Sequence, residues 1–67
     1  MEFKDKIKEL RTEKNLSQTE LATKLKVSQS AVTKWECGRT EPTASALIKL
    51  SEFFGVSVDY LLGLSDY

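Results

Sequence analysis

The 67-residue chain has no histidine, one cysteine, one proline, one tryptophan, three glycines and no net charge. Each scarcity removes a class of chemistry. Without histidine, and with a single thiol at Cys37, no zinc site of the usual Cys/His kind can be built and no internal disulfide can close. The same shortage leaves acid–base and nucleophilic catalysis without their ordinary groups, and the isolated glycines do not make a phosphate-cradling loop. An enzyme is therefore not expected, and no metal, cofactor or small-molecule ligand is indicated. Lys4, Lys6 and Lys8 are not followed by an apolar run, and no continuous apolar segment is long enough for a signal peptide or a membrane span. A soluble chain working in a reducing cytoplasm is the expectation.

What is present is sharply organised. Zero net charge argues against an electrostatic partner taken alone, but the charge is polarised. Residues 1–40 hold nine basic and six acidic groups, and residues 41–67 hold one basic and four acidic groups. The length allows one small domain, 1–67, close to the size at which a single core is only just sufficient.

Ser and Thr residues sit where an N-cap oxygen would satisfy orphan amides at the start of apolar-periodic runs, and they predict five helices with no strand. The first spans about 3–14, with Phe3, Ile7 and Leu10 on one side and Asn15 suited to a left-handed exit. Ser17 with Glu20 forms a capping box opening a second helix, about 18–25, that buries Leu21, Ala22 and Leu25. Ser28 opens a third, about 29–37, closed by Gly38. After Pro42, Thr43 caps a fourth, about 44–54, whose apolar side is read as Ala44, Leu47, Ile48, Leu50 and Phe54; Gly55 stops it. Ser57 caps a fifth, about 58–63, with Val58, Leu61 and Leu62 packing back. The lysines of the first helix interleave with Glu2, Asp5, Glu9 and Glu13 and read as a salt-bridged solvent face.

The second and third helices are separated by so short a link that their axes must cross steeply. Ala22 permits close approach, and Leu21, Leu25, Val27, Val32 and Trp35 fill the angle. That is a helix-turn-helix, at about 18–37, whose second member can enter the major groove of B-DNA. Its outward residues are Gln29, Ser30, Thr33 and Lys34. Glutamine can pair with the N6 and N7 edge of adenine, threonine offers a hydroxyl and a methyl, and lysine reaches guanine acceptors or a phosphate.

The stretch LSQTELATKLKVSQSAVTKWECGRTEP, from Leu16 to Pro42, closely resembles the helix-turn-helix of the phage Cro and repressor family, the lambda-repressor-like or xenobiotic-response-element type. The trailing LIKLSEFFGVSVDYLLG is similar to that family's last two helices. The resemblance implies an all-α, compact five-helix lambda-repressor-like domain that binds double-stranded DNA as a prokaryotic or phage regulator, working in the cytoplasm on the nucleoid. It implies base contacts from Gln29, Ser30, Thr33 and Lys34. Phosphate contacts are implied for Gln18, Ser28, Arg39 and Thr40, with Arg11 and Lys26 as further candidates. Arg11 and Glu36 match a structural ion pair, and Val58, Tyr60 and Leu61 match the face through which the family usually forms homodimers. Three positions depart from the pattern. Lys26 stands where glycine is frequent, Cys37 where asparagine or another polar residue is common, and Glu41 where some members are basic. Cys37 is expected to be a small, half-buried residue at the helix end.

The function this implies is sequence-specific transcriptional regulation, most simply by a dimeric repressor that occludes a promoter. The alternative is a helical protein-interaction module, antitoxin- or antirepressor-like, that keeps the fold and binds protein through its apolar last helix.

Overall fold

Side-chain caps set most of the helix boundaries. The computed structural model describes residues 2–66 and contains α1 (Phe3–Glu13), α2 (Gln18–Leu25), α3 (Gln29–Cys37), α4 (Ala44–Phe54) and α5 (Val58–Leu61), with no strand among the described residues. Ser17, Ser28, Thr43 and Ser57 each accept a hydrogen bond from the backbone N–H three residues on, and Ser17 and Glu20 complete the reciprocal capping box. Each such cap satisfies one amide that would otherwise be orphaned at a helix start.

The exits are equally specific. α1 ends one residue earlier than the periodicity predicts, because Lys14 leaves helical geometry and Asn15 turns left-handed at φ 58°. The turn is closed by the Leu16 amide donating to the Arg11 carbonyl at 3.2 Å. α2 ends at Lys26, also left-handed, with φ 59° and ψ 43°. A side chain with a Cβ is disfavoured there by roughly 1 kcal/mol relative to glycine. Gly38 closes α3 at φ +79°, where an added Cβ would also lie 3.3 Å from the Lys4 Cδ.

Ile7, Leu21, Val32, Leu50 and Leu61 are completely buried, one from each helix, and Ala22, Leu25, Trp35 and Ala46 complete the centre. α2 packs most extensively on α3, and α1 lies across α3. α3 is thereby held from two sides.

Two expectations about the apolar faces are corrected. In α4 the inward stripe is Ala46 and Leu50, while Ala44 is exposed and Ile48 is 53% exposed. Two residues of offset rotate a helical stripe by about 200°, so the Ala44 and Ile48 pair faces away from the core. α5 is four residues long, not six. Leu62 forms its C-cap, Gly63 turns left-handed at φ 78°, and the Leu64 amide closes back onto the Asp59 carbonyl at 2.8 Å. That turn leaves Leu62 43% and Leu64 75% exposed. The solvent-face reading of α1 is also revised for Lys6, which is half-buried with its Nζ 3.9 Å from the centre of the Tyr60 ring, while Lys14 stays exposed with its Nζ 5.7 Å from that of Phe53. These cation–π contacts fasten α1 to α5 and α4.

Candidate nucleic-acid interface

α3 presents Gln29, Ser30, Thr33 and Lys34 on one side, all exposed, while Val32, Trp35 and Glu36 on the other side are buried. This division follows from helical spacing. Val32 and Trp35, three apart, anchor the helix in the core, and Gln29 and Thr33, four apart, stack along the opposite face.

The polar face is tied to the interior. Glu36 accepts from Arg11 Nε at 2.6 Å through Oε2 and from the second guanidinium nitrogen at 3.0 Å through Oε1. Arg11 also donates to the Leu16 carbonyl at 2.7 Å. The side chains are only 13% and 3% exposed for Arg11 and Glu36 respectively. Donating to the Glu36 carboxylate holds the Arg11 guanidinium protonated above its ordinary range; burial opposes this and the neighbouring negative charge adds to it. The pair therefore couples α1 to the end of α3. Gln18, at the first turn of α2, donates to the same carboxylate at 3.1 Å. Its oxygen accepts the Thr33 hydroxyl at 2.7 Å, and Gln29 Nε2 lies 3.1 Å from that hydroxyl and 3.4 Å from the Gln18 oxygen. Five side chains from three helices form one continuous network.

The structure distributes the expected site residues unevenly. Gln18 is half-buried at the edge of the α3 face, joined to Gln29 and Thr33. Ser28, Lys26, Arg39 and Thr40 are exposed in the loops at the two ends of α3. The Ser28 hydroxyl oxygen already accepts from the Ala31 amide at 3.1 Å, so its proton remains available for an outside acceptor. Arg11 does not join the exposed set, because its guanidinium faces inward to Glu36 and Leu16. Among the residues expected at a dimer face, Val58 and Tyr60 are half-buried, and Leu61 is corrected to a core residue with 0% exposure. Cys37 is corrected in the other sense: it is exposed, its Sγ 3.5 Å from the Lys34 carbonyl.

Two features escape a linear reading. The Gln18 to Glu36 contact spans 18 positions and leaves no local pattern, whereas Gln29 and Thr33 are recognisable as an i, i+4 pair. The exposed apolar residues Leu62 and Leu64 follow a helix end that only the structure locates. Among the described residues, no group of three or more His, Cys, Asp or Glu is placed to hold a metal ion, and no helix is long and apolar enough to cross a membrane.

Comparison with known proteins adds an independent line. A family model described as helix-turn-helix matches residues 7–61. An HTH-type transcriptional activator of Enterococcus faecalis, BcrR, is 48% identical over 62 residues, covering 92% of this chain and 30% of that protein. An uncharacterized HTH-type transcriptional regulator of Methanocaldococcus jannaschii is 38% identical over 64 residues, covering 96% of this chain and 97% of that one. The chain spans about half the length of several other curated relatives that it matches. Among solved structures, the P22 c2 repressor protein in complex with a synthetic operator superposes with a TM-score of 0.90 at 31% identity, covering 97% of this chain and 98% of that chain.

Proposed function

This chain belongs to the helix-turn-helix family, and we propose that it is a non-enzymatic, sequence-specific DNA-binding transcriptional regulator that inserts α3 into the major groove of a duplex. The observation that carries this reading is the α3 face itself. Gln29, Ser30, Thr33 and Lys34 project from a helix whose other side is locked into the core, and Gln29 and Thr33 are hydrogen-bonded to Gln18 on the neighbouring helix. A solvated face needs no such bracing. That the P22 c2 repressor, solved in complex with a synthetic operator, shares this fold supports a DNA duplex as the partner.

In this reading Gln29 leads base recognition, with Ser30, Thr33 and Lys34 beside it. Gln18, Ser28, Lys26, Arg39 and Thr40 hold phosphates on either side of the groove through hydroxyl, amide and cationic groups. With zero net charge, one domain has little non-specific attraction to offer. Two domains acting together on half-sites roughly 34 Å apart would supply the missing affinity. The homodimer face is assigned to Val58 and Tyr60 together with the exposed Leu62 and Leu64, which take the place of the buried Leu61. The work is done in the cytoplasm, on the nucleoid. Occlusion of a promoter requires only binding, so repression is the proposed outcome.

Selection of duplexes from a randomised pool, followed by titration against salt and against a scrambled duplex, tests this reading. A two-fold symmetric site bound more tightly than the scrambled sequence, with affinity falling as salt rises, is expected. Equal affinity for both sequences, or no response to salt, refutes it. Transcription in vitro from a promoter overlapping the selected site should fall on addition of the protein; a rise would assign activation instead.

A further inference from the structure

Hydrogen-bond polarity runs in one direction from the interior of the domain to the exposed face of α3. A carboxylate only accepts, and Glu36 accepts from Arg11 and from Gln18 Nε2 at 3.1 Å. An amide that turns its NH2 toward Glu36 must turn its oxygen the other way, and Gln18 Oε1 receives the Thr33 hydroxyl at 2.7 Å. The Thr33 oxygen also lies 3.1 Å from the Gln29 carbonyl oxygen, but its single proton is committed to the shorter contact. Its remaining lone pairs accept from Gln29 Nε2 at 3.1 Å, and Gln18 Oε1 draws the same nitrogen inward at 3.4 Å. The Gln29 amide is thus held with nitrogen toward the protein and oxygen away from it.

We propose that Glu36 is a positioning residue for sequence specificity: through Gln18 and Thr33 it orients the Gln29 amide so that α3 favours adenine over guanine at the base Gln29 meets. The inference rests on the DNA-binding reading above. Adenine places an N6 amino donor beside the N7 acceptor, whereas guanine places two acceptors, O6 and N7, at the same edge. An outward amide oxygen accepts from N6–H while the Nε2 hydrogen that leaves the long 3.4 Å contact to Gln18 reaches N7. Opposite guanine the same oxygen faces O6, and the two repel. The acceptor-only character of Glu36 is what dictates the sense of the whole relay. A neutral amide at position 36 can donate or accept, and Gln18, Thr33 and Gln29 are then free to reverse together.

The test uses a duplex selected by the whole chain from a random pool. The base pair whose discrimination disappears with Gln29→Ala marks the Gln29 contact. Affinities are then compared for adenine, guanine and unsubstituted purine, which lacks the N6 amino group, at that position. The original chain should prefer adenine over guanine by about 5- to 150-fold, the range of one bidentate contact, and should lose affinity when the amino group is removed. In Glu36→Gln, checked for folding by circular dichroism, that preference should collapse toward unity. Thr33→Val removes the middle link while leaving Arg11 and Glu36 paired, so the Gln29 nitrogen keeps only the long 3.4 Å contact to Gln18 Oε1. It should lower the preference clearly below that of the original chain, and it carries the test should Glu36→Gln not fold. In the Gln29→Ala background Glu36→Gln should not alter base preference at that position further, because it acts through Gln29.

A full adenine preference in folded Glu36→Gln or in Thr33→Val overturns the relay and leaves the DNA-binding reading standing. So does a Gln29-dependent preference for guanine. If Gln29→Ala changes discrimination at no position, the base-reading role of Gln29 fails and the relay with it.

Discussion

Replacing Arg11 with methionine offers the most direct measure of what holds α3 in place. An exposed ion pair contributes about 0–1 kcal/mol, whereas removing one partner of a buried pair costs about 3–5 kcal/mol, mostly from the charge left behind. The geometry decides between these limits. Glu36 is 3% exposed and has the guanidinium as its charged partner, so Arg11→Met leaves a carboxylate in the interior with only the neutral Gln18 amide donating to it. A loss of about 3 kcal/mol is expected. A domain of this length has roughly 3–10 kcal/mol in total, so the variant should lie close to its unfolding threshold, with a midpoint lower by about 12–24 °C.

Glu36→Leu should cost less. Arg11 keeps the Leu16 carbonyl at 2.7 Å, and its long side chain can swing toward water. The pair Arg11→Met with Glu36→Leu removes both charges and fills the space with apolar atoms, so it should recover much of the stability lost by Arg11→Met alone. Urea unfolding of the four proteins, arranged as a double-mutant cycle, reads this coupling directly. A cost below about 1 kcal/mol for Arg11→Met would place the pair with ordinary surface bridges. Strictly additive single costs would show that the two groups do not act together. Either result would refute the buried-charge argument.

Lys26→Gly should raise stability by about 1 kcal/mol by relieving the left-handed backbone at φ 59°. If Lys26 also holds a phosphate, the slope of log affinity against log salt should shrink by about 0.9; an unchanged slope would remove Lys26 from the contact set. Glu20 is held below its ordinary carboxylate range, first by the Ser17 backbone N–H, then by the Ser17 hydroxyl. Its folded pKa being the lower one, this contribution is complete above the unfolded value and disappears as pH falls through the folded value. Glu20→Gln should therefore flatten part of the acid-side fall in urea midpoint, and an identical pH profile in the variant would count against the capping-box contribution. Leu62→Asp with Leu64→Asp should change monomer stability by less than about 0.5 kcal/mol, since both side chains are exposed. The same variant should sediment as a monomer and lose affinity for a two-half-site duplex but not for a single half-site; undiminished dimerisation would move the interface elsewhere.

The parts of this molecule that can be read from the chain alone are those fixed by neighbours in sequence. Ser17, Glu20, Ser28 and Gly38 mark the ends of α2 and α3 through bonds reaching three to five residues, so both helices fall where the pattern puts them. α4 is less legible, because Ala44, Ala46, Leu47, Ile48, Leu50, Phe53 and Phe54 cover most of its circumference and periodicity cannot choose the inward stripe. Packing chooses it, and selects the small Ala46 over the larger Ile48. α5 fails for a related reason: Val58, Tyr60, Leu61 and Leu62 are nearly contiguous, and Gly63 decides which of them reaches the core. The site divides in the same way. That Gln29 faces outward follows from its spacing to Val32 and Trp35, but the direction in which its amide points depends on Glu36, seven residues on, acting through a glutamine on another helix. A sequence therefore announces which side chain faces outward before it announces how that side chain is held. On the proposed relay, substitutions behind the exposed face, at Gln18 or Glu36, are the ones by which related chains change specificity while keeping every outward residue of α3.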